Sequence, residues 1–452
     1  MSLFEANKKG FEEAFKAKDI TTESMKKAID GWLKLYFSSL GHEDNEDDCQ
    51  RLPVLIVKRL EKAMFSEYSA DSDNNFEKSI LKALNRVKKK SVQRMFIGGE
   101  CLLKPIITKN KDGFSFLVIR RDCFMPLARD SEDNLTSVGT MEYTEINGMY
   151  YTLFEKRTAG EQLEIEYKLY RSNEKGNYGR QVPLKTLTKY ADLPDKMYLN
   201  VKGLGLISMR VPLENTVDDS ADAVSIYGPA EKLIHRIYEN EHQLSREFEL
   251  GRFRMVVPDD MLIIGDDKGN KKRVKDDIFA AVDGDEEMGI STFNPALRYE
   301  SYQGREEKYL RNIENAIGLK RGLLSQVEAV ERTAKEITSS EGDYSLTITD
   351  VQDVWTNAVK ESITLCEELG RAYLMPGVEN TDVEKVKIDY GNGILYDRAE
   401  TLKQMLMQVQ AGILTAEVYL GEYYGLPYET EEDKKKIREK YMPKIDSLMG
   451  EE

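Results

Sequence analysis

The sequence has few of the residues on which most catalytic and metal sites depend. Its 452 residues include only three histidines and four cysteines. His235 and His242 lie seven positions apart on one predicted helix, and we expect surface or interface roles for both. The cysteines show no spacing typical of a metal site and are expected to be reduced thiols in a cytosolic protein: Cys49, Cys101, Cys123 and Cys366.

Longer sequence signals are absent as well. No run of about 18 apolar residues occurs, so we expect no membrane span, and the first nine residues lack the apolar core of a signal peptide. No G-x-x-x-x-G-K-[ST] motif occurs, which argues against a P-loop ATPase. The glycine-containing stretch 202–206 lacks the third glycine of a dinucleotide-binding motif and is expected to be a turn.

The charge balance is acidic, with 65 lysines and arginines against 80 aspartates and glutamates, a formal net charge of −15. Tight nucleic-acid binding requires basic residues that neutralise phosphates, so this balance argues against a protein that grips nucleic acid. The acidic charge balance is compatible with a protein that lets nucleic acid pass without binding it tightly. A hydrophobic content of 40% is typical of a globular protein, and the length of 452 residues predicts two or three domains.

The first half of the chain changes from helical to extended patterns near Gly98-Gly99. Amphipathic spacing predicts four helices before this point: Phe4–Ala17, Thr22–Ser38, Pro53–Glu67 and Asn75–Arg94. Residues 99–210 predict an antiparallel meander, in which Asn147-Gly148 is the strongest hairpin signal. The stretch 206–212 is predicted to lead out of this sheet.

The second half predicts a helix, a compact non-helical insert, a second helix and a polar loop, in that order. Gly228 and Pro229 favour a helix start, and apolar residues then recur at three- and four-residue steps. The four predicted segments are Pro229–Gly251, Arg252–Gln303, Arg305–Ile317 and Thr338–Thr349. The remaining predicted elements are a long helix Val351–Leu374, a strand Val383–Asp389, and helices Asp397–Gln410, Ala416–Tyr424 and Glu431–Met449.

Two charged clusters in the insert leave alternatives open. The basic cluster is either a mixed-charge turn or a patch facing DNA or a protein partner: Lys268, Lys271, Lys272, Arg273 and Lys275. It has no interleaved aromatic residues, so a stacking platform for single strands is not expected. Among the acidic residues, Asp283, Asp285 and Glu286 are either metal ligands of a nucleic-acid-processing enzyme or a solvated acidic surface, and the D-x-D-G calcium spacing is absent.

Several stretches, in this order, resemble portal (head–tail connector) proteins of tailed bacteriophages, in the group from long-tailed phages of Gram-positive hosts. Three of them depart from the family pattern, with Ala223 in place of glycine, Lys335 in place of threonine and Asn392 in place of aspartate. The stretches that carry the resemblance are Phe96–Leu103, Glu214–Asp218, Val224–Tyr227, Glu247–Pro258, Arg332–Ile337, Ile388–Asp397 and Gln410–Thr415.

The resemblance implies an α+β portal fold and a ring, commonly of twelve subunits, around a DNA channel at one capsid vertex. The fold would comprise a helical and antiparallel-β wing, a two-helix stem, a small α/β clip, a tunnel loop followed by a long wing helix, and a short helical crown. The corresponding ranges are residues 1–226 for the wing, 227–251 and 304–326 for the stem helices, 252–303 for the clip, 327–396 for the tunnel loop and wing helix, and 397–452 for the C-terminal wing and crown.

The resemblance also assigns two sets of functional residues. The tunnel loop would place six residues in the DNA channel: Ser339, Ser340, Glu341, Gly342, Asp343 and Tyr344. The five basic residues of the insert would form the clip surface on which partner proteins dock. The implied partners are other copies of the chain, double-stranded DNA that passes without sequence specificity, terminase, a head–tail adaptor, and the major capsid and scaffolding proteins.

The same resemblance implies a structural protein of the virion, assembled in the host cytoplasm. It implies no cofactor, no metal, no catalytic residue and no membrane partner. Two alternatives remain at this point: the metal-dependent nucleic-acid enzyme with the three acidic ligands named above, and another capsid or head-completion protein.

Overall fold

The computed structural model describes residues 3–37, 51–108, 113–251, 254–258, 263–265, 271–273, 279–282, 291–293, 296–326, 334–391, 398–428 and 430–442. The chain divides into two compact units, Met1–Asp389 and Tyr390–Glu452. Helices and antiparallel sheets are both present, which confirms the predicted α+β class. Within the described ranges, no helix is long and apolar enough to cross a membrane.

The first unit opens with a helical block that confirms the four predicted helices. The elements are α1 (Leu3–Phe15), α2 (Glu23–Tyr36), α3 (Leu52–Met64), β1 (Ser69–Asp71) and α4 (Asn75–Gly98). Thr22 caps α2, since its hydroxyl oxygen accepts the amide of Met25 at 3.1 Å. Helix α4 continues four residues past its predicted end because Met95, Phe96 and Ile97 are buried.

The extended region forms two sheets rather than one meander. A three-stranded sheet has the order β10-β2-β3, and a larger sheet has the order β4-β5-β6-β7-β8 with β9 paired to β7. The strands are β2 (Glu100–Ile107), β3 (Phe114–Ile119), β4 (Phe124–Arg129), β5 (Leu135–Ile146), β6 (Met149–Thr158), β7 (Leu163–Ser172), β8 (Arg180–Val182), β9 (Lys196–Leu199) and β10 (Ile207–Arg210).

The hairpin prediction at Asn147-Gly148 is confirmed. Both residues have positive φ, 52° and 72°, as a two-residue hairpin turn of this class requires, and Ile146 lies opposite Met149. The prediction that residues 206–212 leave the sheet is wrong. Strand β10 returns to β2, a partner about a hundred residues earlier, because β2 has a free edge that no local sequence pattern reveals.

The described residues at the centre of the chain form two helices and five short strands. They are α5 (Glu231–Leu250), β11 (Arg254–Pro258), β12 (Ile263–Gly265), β13 (Lys271–Arg273), β14 (Phe279–Val282), β15 (Ser291–Phe293) and α6 (Tyr299–Ile317). Strand β11 pairs in parallel with β14 and antiparallel with β15, while β12 and β13 pair with each other. Helix α6 begins six residues before its predicted start and ends at Gly318, whose φ of 74° terminates it.

The prediction of a polar loop at Thr338–Thr349 is wrong, because this segment is helical. It belongs to α7 (Ala334–Ala372), a continuous helix of 39 residues. The sequence reason is an apolar spacing that continues upstream from Trp355 through Val351, Ile348 and Tyr344. The buried side chains of Ile348, Val351 and Trp355 anchor the described part of this spacing, and one interior glycine costs only about 1 kcal/mol.

The last strand of the first unit is shorter than predicted. Residues Val383–Lys385 form a 3₁₀ turn, and only β16 (Lys387–Asp389) is extended, paired antiparallel with β1. The second unit contains α8 (Arg398–Gln410), α9 (Ala416–Tyr424) and α10 (Glu431–Tyr441), which confirms three predicted helices. The predicted end of α10 at Met449 lies outside the described residues.

Candidate functional site

Helices α5 and α6 form an antiparallel hairpin that carries the β11–β15 insert at one end. Arg298, just before α6, makes a salt bridge to Glu247 near the end of α5, with Nη2 and Oε2 2.7 Å apart. Arg305 donates to the side-chain oxygen of Gln243 at 3.2 Å. Asn240, closer to the base, donates to the Tyr302 carbonyl at 3.1 Å. The predicted helix–insert–helix order is therefore also a spatial unit.

Burial falls sharply along this hairpin. At its base, Ile234, Ile237 and Ile313 are completely buried. At the end next to the insert, no residue of 241–250 or 299–312 is buried, and large apolar side chains are exposed by 41–56%: Phe248, Leu250, Leu297 and Tyr299. A cleft of about 640 Å³ lies between the helices there. Contiguous exposed apolar groups of this kind are typical of surfaces covered by another protein.

The base of α5 is joined to the N-terminal helical block. The Trp32 indole N–H donates to Glu231 at 2.9 Å, and the Tyr227 hydroxyl donates to the Trp32 carbonyl at 2.7 Å. Burial raises the pKa of Tyr227, so its phenol stays neutral and remains a donor. A side chain at Gly228 would approach the Trp32 ring to 3.3 Å. These contacts fix where α5 leaves the block.

A buried charge network joins the two sheets to the segment before α5. Arg129 of β4 bridges Glu100 and Asp222, at 3.4 and 3.2 Å. Arg121 also reaches Asp222, at 3.3 Å, and donates to the Thr21 hydroxyl at 2.9 Å. All four charged side chains are less than 10% exposed. Paired buried charges of this kind fix geometry, since any one of them left alone would be strongly destabilising.

A second buried cluster holds the turn before β10 against the large sheet. Glu155 of β6 lies between Arg157 and Lys104, and Arg157 donates to the carbonyls of Leu204 and Gly205, both at 3.0 Å. Burial alone would raise the pKa of Glu155, but the positive charges of Arg157 and Lys104 outweigh it and lower the pKa to about 2.

The turn after α6 is held by a buried carboxylate. Glu314 is completely buried, and its Oε1 accepts the backbone amides of Gly322, Leu324 and Ser325 at 2.6–3.0 Å. Its Oε2 accepts the Ser325 hydroxyl at 2.7 Å. Two turns earlier on α6, Glu307 accepts the amide of Gln326 at 2.9 Å. The chain between α6 and α7 therefore starts from a fixed position.

The predicted site residues fall into two groups. Residues Ser339–Tyr344 lie on the helical backbone of α7 instead of in a loop. Lys271, Lys272 and Arg273 form β13, opposite β12, whereas Lys268 and Lys275 lie outside the described residues. Nothing in the described structure brings these two groups together, and their roles in DNA passage and partner docking stay predictions.

The described residues also bear on the enzyme alternative. Its proposed ligands, Asp283, Asp285 and Glu286, lie outside the described residues. Within the described ranges, no group of three or more histidine, cysteine or acidic side chains could hold a metal ion. His235 is exposed on α5, with its Nε2 4.0 Å from Glu231. Burial raises the pKa of Cys101 and Cys366, which makes both thiols unreactive.

The sequence analysis missed the contacts that position the hairpin. Trp32 and Glu231 are 199 positions apart, and Arg129 and Asp222 are 93 apart. No spacing rule connects residues at such distances. Helices α3 and α4 were predicted from the sequence, but their basic charge was not, although the run Lys88-Lys89-Lys90 was a usable signal.

The model of the family described as "Phage portal protein, SPP1 Gp6-like" matches residues 52–441. The chain therefore belongs to the phage portal protein family. No curated protein sequence matches it significantly.

Solved structures of gene transfer agent (GTA) particles are similar to this chain. The neck of an empty particle, computed with C6 symmetry, shares 11% identity at a TM-score of 0.47 and covers 92% of this chain and 97% of that one. The neck of a native particle, computed with C12 symmetry, shares 10% identity at a TM-score of 0.46, covering 91% and 96%. A chain in the virion of a native particle shares 11% identity at a TM-score of 0.44 and covers 93% of this chain and 99% of that one. The family assignment rests on the family model.

Proposed function

We propose that the protein assembles into a ring, of twelve subunits, that forms the DNA channel of a tailed-phage capsid vertex. The observation that carries this proposal is the family match together with the α5–α6 hairpin, whose outer half exposes Phe248, Leu250, Leu297 and Tyr299. A lone hairpin with so little buried surface is marginal, and neighbouring copies in a ring would cover it.

In this proposal the protein is structural, and it acts by placement and charge rather than by catalysis. The formal charge of −15 per chain repels DNA phosphates, which keeps a duplex from sticking to the channel wall. Residues Ser339–Tyr344 would face the duplex, now as part of α7. The β11–β15 insert, with Lys268, Lys271, Lys272, Arg273 and Lys275, would receive terminase during packaging and the head–tail adaptor afterwards.

The remaining partners follow from the same placement. The wing and the C-terminal helices would contact the major capsid protein and the scaffold. Assembly would begin in the host cytoplasm and end at one vertex of the virion.

Native mass spectrometry and negative-stain imaging of the purified chain test the ring directly. The expected result is a closed ring with an axial opening wide enough for duplex DNA. A matched pair of variants tests the surface that the ring would cover. Phe248→Ser with Leu250→Ser should weaken the ring, whereas Tyr143→Ser with Ile146→Ser, at exposed apolar residues of β5, should leave it intact. A wild-type chain that stays monomeric at every concentration would overturn the proposal.

A further inference from the structure

Helices α3 and α4 carry a charge opposite to that of the whole chain. Together they contain ten lysines and arginines and two glutamates. Both glutamates, Glu61 and Glu77, are at least 95% buried and engaged inside the protein. The charge that these two helices present to solvent is therefore entirely positive, in a protein whose net charge is −15.

The two helices pack against each other, and both carry exposed cations. Glu61 of α3 contacts Lys89 of α4 at 3.2 Å and Gln93 at 3.3 Å, which fixes the packing of the pair. Lys58 and Lys62 lie within one turn of Glu61 and are exposed. We call the following set of exposed residues the α3–α4 basic surface: Lys58, Arg59, Lys62, Lys78, Lys82, Arg86 and Lys90.

No described residue supplies a counter-charge to the members of this surface. Within the described part of the chain, none of the seven takes part in an ion pair or a side-chain hydrogen bond. Lys78, Lys82, Arg86 and Lys90 follow one another at four-residue steps, a spacing at which like charges destabilise a helix. Their row rises about 6 Å per step and about 18 Å in total, roughly the length of five base pairs at 3.4 Å each.

The chemistry of the surface favours a phosphate polymer over a protein or a membrane. Protein interfaces have an apolar or aromatic core and few lysines, and neither helix exposes a large hydrophobic side chain. Insertion into an anionic membrane likewise needs an apolar face.

We propose that the α3–α4 basic surface binds the phosphate backbone of nucleic acid, without reading its sequence. This surface is distinct from the proposed channel residues Ser339–Tyr344. It binds the polymer, whereas the proposed channel lets DNA slide past. Because the contact belongs to one chain, it does not depend on the ring.

Binding of a fluorescent random-sequence 30-base-pair DNA duplex to the full-length protein tests this proposal, by anisotropy across a salt series. The test variant carries Lys58→Gln, Lys62→Gln, Arg86→Gln and Lys90→Gln. The control carries Lys27→Gln, Lys175→Gln, Arg180→Gln and Lys202→Gln, at exposed positions elsewhere in the first unit. Both have the same net charge, so any difference between them reports position and not total charge.

Neutralising four phosphate contacts should lower the slope of log affinity against log salt by about three to four. The wild type and the control should lose about a thousandfold in affinity between about 50 and 200 mM salt, and the test variant less than about a hundredfold. Single-stranded DNA and duplex RNA of equal length show which phosphate polymer is preferred.

Four results would overturn the proposal. Two concern DNA: no binding by the wild type at about 50 mM salt, or an equal loss of DNA affinity in the test variant and the control. The other two are stronger binding to phosphatidylserine vesicles or polyglutamate than to nucleic acid, and a changed ring mass in the test variant alone. The last result would make the surface a contact between copies of the chain. If the wild-type chain does not form a ring, its mass by native mass spectrometry shows this. The DNA-binding result can still be interpreted, because the proposed contact belongs to one chain.

Discussion

Trp32 of α2 donates its indole N–H to the carboxylate of Glu231, at the first turn of α5, over 2.9 Å. Trp32 is 1% exposed, whereas the Glu231 side chain is 31% exposed. The bond therefore joins the interior of the N-terminal block to the start of the hairpin. The bond from the Tyr227 hydroxyl to the Trp32 carbonyl is a second link at the same junction.

We predict that Trp32→Phe and Glu231→Gln are coupled by about 1 kcal/mol, because Trp32→Phe removes the donor of this hydrogen bond and Glu231→Gln removes the charge of its acceptor. The free energy of unfolding, measured with urea at one fixed protein concentration for both single variants and the double variant, gives this coupling. Additive effects of the two substitutions would show that the bond contributes nothing to the junction.

The buried cluster around Glu155 predicts a pH dependence of stability. Its folded-state pKa of about 2 lies below the value of about 4.3 for a free glutamate. A depressed pKa contributes stability that is present above the unfolded pKa and lost as the pH falls towards the folded pKa. We therefore expect this cluster to lose on the order of 3 kcal/mol between about pH 4.5 and pH 2.

Replacement of Glu155 tests the same cluster at neutral pH. Glu155→Gln would leave Arg157 buried, and Lys104 partly buried, without a counter-charge, and we expect a loss of about 3–5 kcal/mol. Glu142→Gln, at a 41% exposed position paired with Lys189, is the control and should cost less than about 1 kcal/mol. Equal losses would mean that Glu155 is solvated in the folded protein.

Local signals in the sequence predicted most of the elements, because those signals act within a few residues. Thr22 as a helix cap and Asn147-Gly148 as a hairpin turn are examples. The segment 338–349 misled the prediction because serine, glycine and aspartate favour loops, while the packing that keeps α7 helical comes from Val351 and Trp355 further on. The contacts that position the hairpin join residues too far apart for any local rule.

Gly99 illustrates a local constraint with a distant cause. Its φ of 82° favours glycine, and an added Cβ would lie 2.3 Å from the Ala223 carbonyl oxygen. Gly148 has a similar φ of 72° but nothing within 4 Å of an added Cβ. We predict that Gly148→Ala costs about 1–2 kcal/mol from strain alone, and that Gly99→Ala costs at least about 2 kcal/mol more. Thermal unfolding of both variants checks this, and equal costs would show that residues 99 and 223 separate easily.

Reversing the charge of the basic residues of the insert should weaken partner docking without affecting folding. Lys271→Glu, Lys272→Glu and Arg273→Glu together should weaken the binding of a terminase or adaptor partner at least tenfold, because rim charges of one sign are replaced by the other. Lys434→Glu, Lys435→Glu and Lys436→Glu in α10 are the control with the same change in charge. Partner binding is measured by co-sedimentation, and melting temperature by calorimetry. A collapse of the melting temperature in the first variant would make residues 271–273 structural.

The proposed channel segment of α7 predicts an effect on DNA movement that depends on salt. Ser340→Lys with Asp343→Lys would place two cations per subunit against the duplex. Each cation would bind a phosphate, which neutral Ser340 and acidic Asp343 do not. Substitution is a cleaner test than deletion, since removing four residues from a helix rotates all that follows by about 40°. Ring assembly should be unchanged, while packaging and ejection slow, most strongly at low salt.

The control for this last change is Asp353→Lys with Thr364→Lys, two exposed positions further along α7 that add the same charge. Packaged DNA length and ejection rate, followed in reconstituted particles, should match the wild type in the control and fall in the channel variant. Because the added cations act through phosphate binding, raising the salt from about 50 to 200 mM should restore much of the rate. Equal slowing in both variants, or none in either, would remove Ser339–Tyr344 from the channel wall.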